Sequence, residues 1–172
     1  VTQDTKETSL SNSAGLLGRA ADNETWVRLG YALYGGSVSE KTLKPVMTFG
    51  SQIASIRCIE PRETVGYSGR WVAKRASRIA TIPVGYADGY PRAARDGTPI
   101  GSPFGLIPLA GKVSMDMITA DITDQPQLNV GSPVTLWGAR PSIDQVANHC
   151  DTIGYELLTR ITQRVPKLFC RT

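Results

Sequence analysis

The chain has 172 residues, of which 41% are apolar and 20% are charged, and its formal net charge is +4. This composition excludes a disordered chain, because disorder goes with low hydrophobicity and high net charge. The basic residues are scattered singly and no basic stripe alternates with aromatic side chains, so we expect no nucleic-acid partner. No apolar run approaches the roughly 18 residues that a membrane span needs, so we expect no membrane partner either.

The first part of the chain combines helix and strand signals. Asn12 and Ser13 precede the segment LLGRAA, and either side chain can cap a helix by accepting from the N–H groups of its first turn. The segment WVRLGYALYGG follows, and its apolar and aromatic residues, Trp26, Val27, Leu29 and Tyr31, predict a short strand. Its glycines, Gly30, Gly35 and Gly36, permit close backbone approach or positive φ.

From Lys44 onward the pattern indicates a β-rich domain. Gly, Pro, Asp and Ser separate short segments that are rich in Val, Ile, Thr and aromatic residues, namely VMTFGSQIASIRCI, RIATIPVGY, LIPLAG, VSMDMITADI and SPVTLWG. Ser142 and Gln145 have capping-box spacing, and GYELLTRITQ has helical periodicity, so two short helices are predicted before a last strand in RVPKLF. We therefore predict a mainly β chain.

The cysteines and the histidine give no sign of a metal site. Cys58, Cys150 and Cys170 are far apart and form no C-x-x-C pair, which argues against a zinc site and against a disulfide framework. We therefore expect no bound metal and a reducing, cytoplasmic location. His149 is the only histidine, and at the end of a predicted helix a capping or surface role is the simpler interpretation.

No single motif in the chain indicates a function, but the combination and order of several motifs do. There is no Walker motif and no G-x-S-x-G. Eight segments instead resemble, in order and spacing, the C-terminal part of the bacterial alanine racemases, which use pyridoxal 5′-phosphate; they are SNSAG, VRLGYALYG, KPVMTFGSQI, VGYSGRW, PVGYADGYPR, GKVSMDM, VTLWG and YELLTRITQRVP. The resemblance runs from about Ser9 to the end.

This resemblance implies a division of the chain. Alanine racemases begin with a (β/α)8 barrel that carries the lysine forming the Schiff base with the cofactor, and no such segment occurs in these 172 residues. Residues 1–36 are then expected to be the last piece of that barrel, with phosphate-site residues, and residues 37–172 the β-rich C-terminal domain with two short helices. We expect a portion of a racemase that is inactive by itself.

The resemblance also assigns cofactor-binding residues. Asn12 and Ser13 match the phosphate-binding serine and its neighbour, although an ordinary helix cap explains them as well. Gly30 and Tyr31 match positions whose backbone amides hold the phosphate, with a plain strand end as the alternative. Arg28 matches the arginine that donates to the pyridine nitrogen and leaves it without a proton. Its alternative is a surface salt bridge.

The catalytic and substrate residues come from the β-rich part. Tyr86 matches the catalytic tyrosine that acts on the substrate face opposite the lysine, and a strand-end tyrosine with a wet hydroxyl is its alternative. Met115 and Asp116 match residues at the substrate carboxylate, where the Met115 N–H is the expected donor and Asp116 is expected to hold the loop. Core filling is the alternative for Met115. Gln163 stands where many members have a tyrosine that contacts the phosphate.

The implied function is interconversion of L- and D-alanine through a pyridoxal-phosphate aldimine, for peptidoglycan precursor supply or D-alanine catabolism. Two alternatives stay open: an amino-acid racemase of broader specificity, and a non-catalytic β-domain module. In the family a head-to-tail homodimer shares the active site between subunits, so exposed apolar area is expected around residues 86 and 115. Tyr90, in the same motif as Tyr86, is expected to pack in the core.

Overall fold

The structure is a computed structural model that describes residues 7–18, 24–36 and 43–170. The chain forms two compact units, Val1–Met47 and Thr48–Thr172, and each is described by itself. The predicted domain boundary, between residues 36 and 37, adjoins residues 37–42, which lie outside the described part. The assignment of residues 1–36 to a barrel therefore stays a prediction.

The first unit holds helix α1 (Ser13–Gly18) and a 3-10 helix (Tyr31–Tyr34). The predicted cap is confirmed, because the Gly15 N–H donates to Asn12 Oδ1 over 3.0 Å. The continuation of this helix beyond Gly18 falls on residues outside the described part.

The predicted strand in WVRLGYALYGG is wrong. Only one isolated parallel bridge, between Asn12 and Arg28, involves this segment in the part of the chain that the structure describes. A strand needs a partner along its length to satisfy its backbone groups, and after Gly30 the chain turns into the 3-10 helix instead. Gly35 ends that helix in the left-handed region, at φ +80°, and its N–H donates to Ala32 O over 3.1 Å.

The second unit is built from antiparallel strands. The strands are β1 (Phe49–Gln52), β2 (Ser55–Ile59), β3 (Thr64–Val65), β4 (Trp71–Val72), β5 (Ser77–Ile82), β6 (Pro99–Ser102), β7 (Gly105–Pro108), β8 (Ile118–Asp121) and β9 (Pro133–Trp137). Within the described residues a four-stranded sheet has the order β1-β9-β6-β7, a three-stranded sheet the order β2-β5-β8, and β3 and β4 form a pair. The prediction of a mainly β chain is confirmed.

Strand β5 is the central strand of its sheet and carries the most buried part of the core. Ile79, Ala80 and Ile82 have no exposed surface, and the register pairs Ile79 with Asp121 and Ile82 with Ile118. A strand buried on both faces is fixed by packing on each side, and each fully buried Ile contributes about 1.5 to 3 kcal/mol. The segment that follows β5 therefore starts from a rigid base.

Two helices follow the strands, as predicted. Helix α2 (Ile143–His149) begins with a capping box, in which the Gln145 N–H donates to Ser142 Oγ over 3.1 Å and the Ser142 N–H to Gln145 Oε1 over 2.9 Å. Helix α3 (Gly154–Arg160) comes next.

The predicted last strand in RVPKLF is wrong, because no described residue after α3 belongs to a strand. Pro166 lacks the N–H that a strand ladder uses. Leu168 and Phe169 are 89% and 94% exposed, so no neighbouring strand or core holds this segment in the described structure.

Candidate active site

The first element of the site is a short turn at the end of the central strand. Beyond β5 the chain passes through Pro83 and Val84 into a 3-10 helix, Tyr86–Asp88, which with Gly85 and Gly89 we name the Tyr86 turn. The Asp88 carboxylate accepts from the Gly85 N–H over 2.9 Å. Gly89 closes the turn in the left-handed region, at φ +104°, where other residues would be strained.

The second element is a tight loop before β8, residues 114–117, which we name the Met115 loop. The Ser114 hydroxyl closes it, since Ser114 Oγ lies 2.6 Å from Met117 O and accepts from the Met117 N–H over 3.1 Å. Short side-chain to backbone bonds of this kind favour turns over strands. They explain why the predicted strand VSMDMITADI begins only at Ile118.

Backbone hydrogen bonds join the two elements. The Tyr86 N–H donates to Ser114 O over 3.1 Å, and the Ala87 N–H to Met115 O over 3.0 Å. Gly85 permits this approach, because a Cβ at that position would lie only 2.2 Å from Met115 O. The three predicted residues Tyr86, Met115 and Asp116 are thus brought together on adjoining loops.

A third segment, which the sequence reasoning missed, packs on both loops after α3. The Thr162 hydroxyl donates to Ala87 O over 2.9 Å. Arg164 reaches two carboxylates, with Nε 3.3 Å from Asp88 Oδ1 and Nη2 2.7 Å from Asp116 Oδ1. The only sequence signal was that Arg164 belongs to a matched motif, RVP, while both acids lie in others.

The positive charge of Arg164 partly compensates the negative charges of Asp88 and Asp116 where the two loops meet. The hydrogen bond to Asp116 and the nearby charge of Asp88 raise the pKa of the Arg164 guanidinium above its ordinary value. The guanidinium stays protonated at any ordinary pH, so one cation stands between two carboxylates. The ion pair with Asp116 ties the Met115 loop to the segment after α3.

The side chains at the site leave apolar surface uncovered. Tyr86, Met115 and Met117 are 38%, 52% and 50% exposed, which confirms the expected apolar area and excludes core filling for Met115 in this unit. Tyr90 is different, because it is 1% exposed and stacks on Trp137 with ring centroids 6.2 Å apart. Its burial and this contact confirm the expected packing role, and burial also raises the pKa of the Tyr90 phenol.

The predicted phosphate-binding residues lie together in the first unit. Ser13 is 1% exposed, and its Oγ accepts from the backbone N–H groups of Gly30 and Ala32, over 3.2 and 3.1 Å. Tyr31, between these two donors, is 3% exposed. Two backbone N–H groups therefore converge on one buried hydroxyl next to the start of α1.

Arg28 is exposed and is held by backbone oxygens of the segment before α1. Its Nη1 donates to Ser9 O over 2.5 Å and to Ser9 Oγ over 2.9 Å, and its Nη2 to Leu10 O over 3.4 Å. Glu24, also missed, holds the same segment by accepting from the Ser11 N–H over 2.8 Å. The Ser11 hydroxyl and N–H lower the pKa of the Glu24 carboxyl.

The described residues contain neither a cluster of metal ligands nor a membrane-spanning helix. No group of three or more His, Cys, Asp or Glu side chains could hold a metal ion. No helix among these residues is long and apolar enough to cross a membrane.

Comparison with known proteins identifies the class to which this fold and this pair of loops belong. The family model described as "Alanine racemase, C-terminal domain" matches residues 46–169. The chain is 46% identical to the biosynthetic alanine racemase of Pseudomonas aeruginosa over 172 residues, and 48% identical to the alanine racemase of Stutzerimonas stutzeri over 167 residues. The chain belongs to the alanine racemase family.

Solved structures agree with this assignment. The crystal structure of the P. aeruginosa biosynthetic enzyme superposes on 95% of this chain with a TM-score of 0.86 at 44% identity. Alanine racemase from Bartonella henselae, solved with covalently bound pyridoxal phosphate, superposes on 96% with a TM-score of 0.87 at 31% identity. The match with the P. aeruginosa protein covers 96% of this chain but 48% of that protein, so the chain spans about half the length of its relatives.

Proposed function

We propose that this chain supplies the tyrosine half of an alanine racemase active site, which moves the α-proton between the two faces of alanine. The observation that carries the proposal is the placement of Tyr86. Its backbone is anchored to Ser114 and its side chain is partly exposed, at the end of the most buried strand of the core. A proton-transfer group needs this combination of fixed position and access.

The cofactor that we propose is pyridoxal 5′-phosphate, with its phosphate held by Asn12, Ser13, Gly30 and Tyr31. The Ser13 hydroxyl accepts from two N–H groups and still has its own proton to donate. The proton of this hydroxyl is the proposed donor to the phosphate, which offers only acceptors. The B. henselae neighbour, described with covalently bound pyridoxal phosphate, supports the same choice.

Arg28 is the residue that we propose to contact the pyridine ring of the cofactor. Three of the contacts that its guanidinium makes go to Ser9 and Leu10, and a guanidinium has five N–H donors. Arg28 would donate to the ring nitrogen and leave it without a proton, because a guanidinium does not give up its own. When bound, pyridoxal phosphate supplies the electron sink that makes the α-proton of an amino acid removable.

Tyr86 is proposed to take and return that proton on one face of the substrate. A phenol has an ordinary pKa of about 10, so a role as base near neutral pH needs a cation or hydrogen-bond donors beside its oxygen. Protein groups outside these 172 residues are proposed to supply that help, together with the lysine on the opposite face.

The Met115 loop is the part of the site that we propose to bind the substrate carboxylate. Its proposed donor is the Met115 N–H, and Asp116 is proposed to stay turned to Arg164, which lies 2.7 Å away. Because the Arg164 cation compensates the charge of Asp116, this aspartate repels the substrate carboxylate less. Alanine is the proposed substrate because the relatives are named alanine racemases.

A second copy is the proposed partner. The exposed Tyr86, Met115 and Met117 form apolar surface beside a polar site, a pattern typical of an interface between subunits. We propose a homodimer in which the tyrosine of one subunit serves the cofactor of the other. The cytoplasm is the proposed location and supply of D-alanine for biosynthesis the proposed role, the latter in line with the name of the P. aeruginosa relative.

The test is a chimaera in which this chain replaces the matched half of the P. aeruginosa racemase. We expect it to interconvert L- and D-alanine, followed by circular dichroism of the amino acid. Tyr86→Phe should lower kcat by 100-fold or more, the size of a general acid–base contribution. Tyr67→Phe is the matched control, since Tyr67 is exposed and lies in another turn. A folded chimaera without activity, or one indifferent to Tyr86→Phe, would contradict the proposal.

A further inference from the structure

One guanidinium holds three separate segments of the second unit together. Arg164 pairs with Asp88 of the Tyr86 turn and with Asp116 of the Met115 loop, through two different nitrogens. Its own segment is also tied to the Tyr86 turn by Thr162, whose hydroxyl donates to Ala87 O over 2.9 Å and whose N–H donates to Asp88 O over 3.3 Å. The segment after α3 is therefore a brace across both loops.

The geometry points to Arg164 as a positioning residue that fixes the Tyr86 turn and the Met115 loop against each other. This inference rests on the proposed function, in which Tyr86 moves the proton and the Met115 loop receives the substrate carboxylate. The distance between the Tyr86 phenol and the Met115 loop then determines where the α-carbon of the substrate lies relative to the phenol. Arg164 would act through the two aspartates and touch no reacting atom.

Other contacts also link the two loops, and the ion pairs of Arg164 add to them. The other contacts include two backbone hydrogen bonds, from Tyr86 to Ser114 and from Ala87 to Met115. The net contribution of a backbone hydrogen bond is modest, because in the open state the same groups bond to water. Without the cation, the carboxylates of Asp88 and Asp116 would repel each other across this junction.

The two ion pairs of Arg164 also depend on the geometry of the guanidinium group. The Asp88 side chain is 15% exposed and the Asp116 side chain 53% exposed, and each pairs with its own nitrogen of the guanidinium fork. Lysine carries one nitrogen on a flexible stem, so it keeps the charge but cannot reproduce two directed contacts. We therefore expect Arg164→Lys to retain part of the effect.

Amide hydrogen exchange on the 172-residue chain tests this inference. Arg164→Met should speed exchange of the Tyr86 and Ala87 N–H groups by about tenfold or more, because these amides report separation of the two loops. The Ile122 N–H, which donates to Arg78 O over 2.9 Å within the sheet region, should keep its rate. Arg160→Met is the matched control, since Arg160 is similarly exposed and pairs with Glu156 of its own helix.

Two more variants complete the test. Asp116→Asn, at a half-exposed side chain, should speed exchange at Ala87. Adding it to Arg164→Met should bring no further acceleration, because the shared contact is already lost and one of the two repelling carboxylates is removed. Arg164→Lys should fall between wild type and Arg164→Met. In the chimaera, Arg164→Met should lower kcat by tenfold or more, as expected for a misplaced reacting group.

The results separate the inference from the proposed function. Unchanged exchange at Tyr86 and Ala87 in Arg164→Met, or an equal acceleration at Ile122, would overturn the positioning role. Retained kcat in an active Arg164→Met chimaera would do the same. The exchange measurement needs neither cofactor nor substrate, so its result stands even if racemisation is not found.

Discussion

Gly85 is the residue on which the approach of the two site loops depends. Its φ of −148° is open to any residue, so the requirement for glycine comes from space and not from backbone conformation. A Cβ there would lie 2.2 Å from Met115 O and 2.5 Å from Ser114 O, and both are backbone atoms that cannot move aside alone. The Met115 loop would have to shift as a whole.

Gly85→Ala should therefore displace the Met115 loop and cost about 2 kcal/mol or more of stability, comparable with overpacking in a core. Urea unfolding gives the cost, and the Met115 methyl signal in NMR reports the displacement. Gly131→Ala is the control, because its Cβ meets no atom within 4 Å and only its φ of +87° is strained. An unmoved Met115 signal in Gly85→Ala would contradict the close contact.

The three thiols should differ sharply in reactivity. Cys58 and Cys170 are exposed, whereas Cys150 is buried and burial raises the pKa of its thiol to about 11. Because the thiolate is the reactive form, only about one in a thousand Cys150 side chains would be reactive at pH 8. A disulfide exchange reagent should label two thiols rapidly and the third at least 100-fold more slowly, unless urea is added. Three equally fast thiols would show that Cys150 is accessible.

Helix α2 begins with the clearest local signal in the chain, the capping box of Ser142 and Gln145. Ser142→Ala removes the acceptor for the Gln145 N–H and should cost about 1 kcal/mol of stability. Thr159→Ala is the control, since Thr159 is an exposed hydroxyl residue within α3, and alanine has the higher helix propensity. Equal midpoints of urea unfolding for Ser142→Ala and wild type would show that the cap contributes nothing.

Local patterns predicted most elements and failed where an element depends on distant partners. The strand segments, both late helices and the Ser142 cap follow from periodicity and capping chemistry, which act within a few residues. The segment around Tyr31 and the segment RVPKLF also have strand-like composition, but the described structure gives neither a strand partner. Composition does not show whether a partner strand is present.

The residues of the candidate site were also predictable only where a local sequence motif marks them. Tyr86, Met115 and Asp116 were found through motifs, and the structure brings them together on adjoining loops. Arg164 was missed, because its role depends on two carboxylates that lie far from it in sequence and meet it only in the fold. Glu24 was missed for the same reason, since its partners Leu10 and Ser11 lie more than ten residues earlier.

The stability of the whole chain should fall in alkaline solution. Burial raises the pKa of Cys150 from an ordinary value of 9.0 to about 11 and also raises the pKa of Tyr90. Between pH 9 and 11 the folded state keeps a proton on Cys150 that the unfolded state has lost, so stability is full below pH 9 and decreases as the pH rises. Each pH unit in this window should shift the unfolding equilibrium about tenfold for this thiol.

Urea unfolding at pH 8 and pH 10 measures this loss, and Cys150→Ala should reduce it. The remaining decrease in that variant belongs to Tyr90, whose phenol begins to lose its proton in the unfolded chain near pH 10. Identical pH dependence in Cys150→Ala and wild type would show that the buried thiol does not contribute.

Two compact units of one chain carry the two groups of proposed site residues, the phosphate ligands in the first and the Tyr86 turn with the Met115 loop in the second. The most direct measurement of the role of Tyr86 is exchange of the alanine α-hydrogen with D₂O in the chimaera, followed separately for each enantiomer. If Tyr86 serves one face only, Tyr86→Phe should slow exchange from one enantiomer by 100-fold or more and leave the other largely intact. Equal rates for both enantiomers, whether both lost or both retained, would contradict the account.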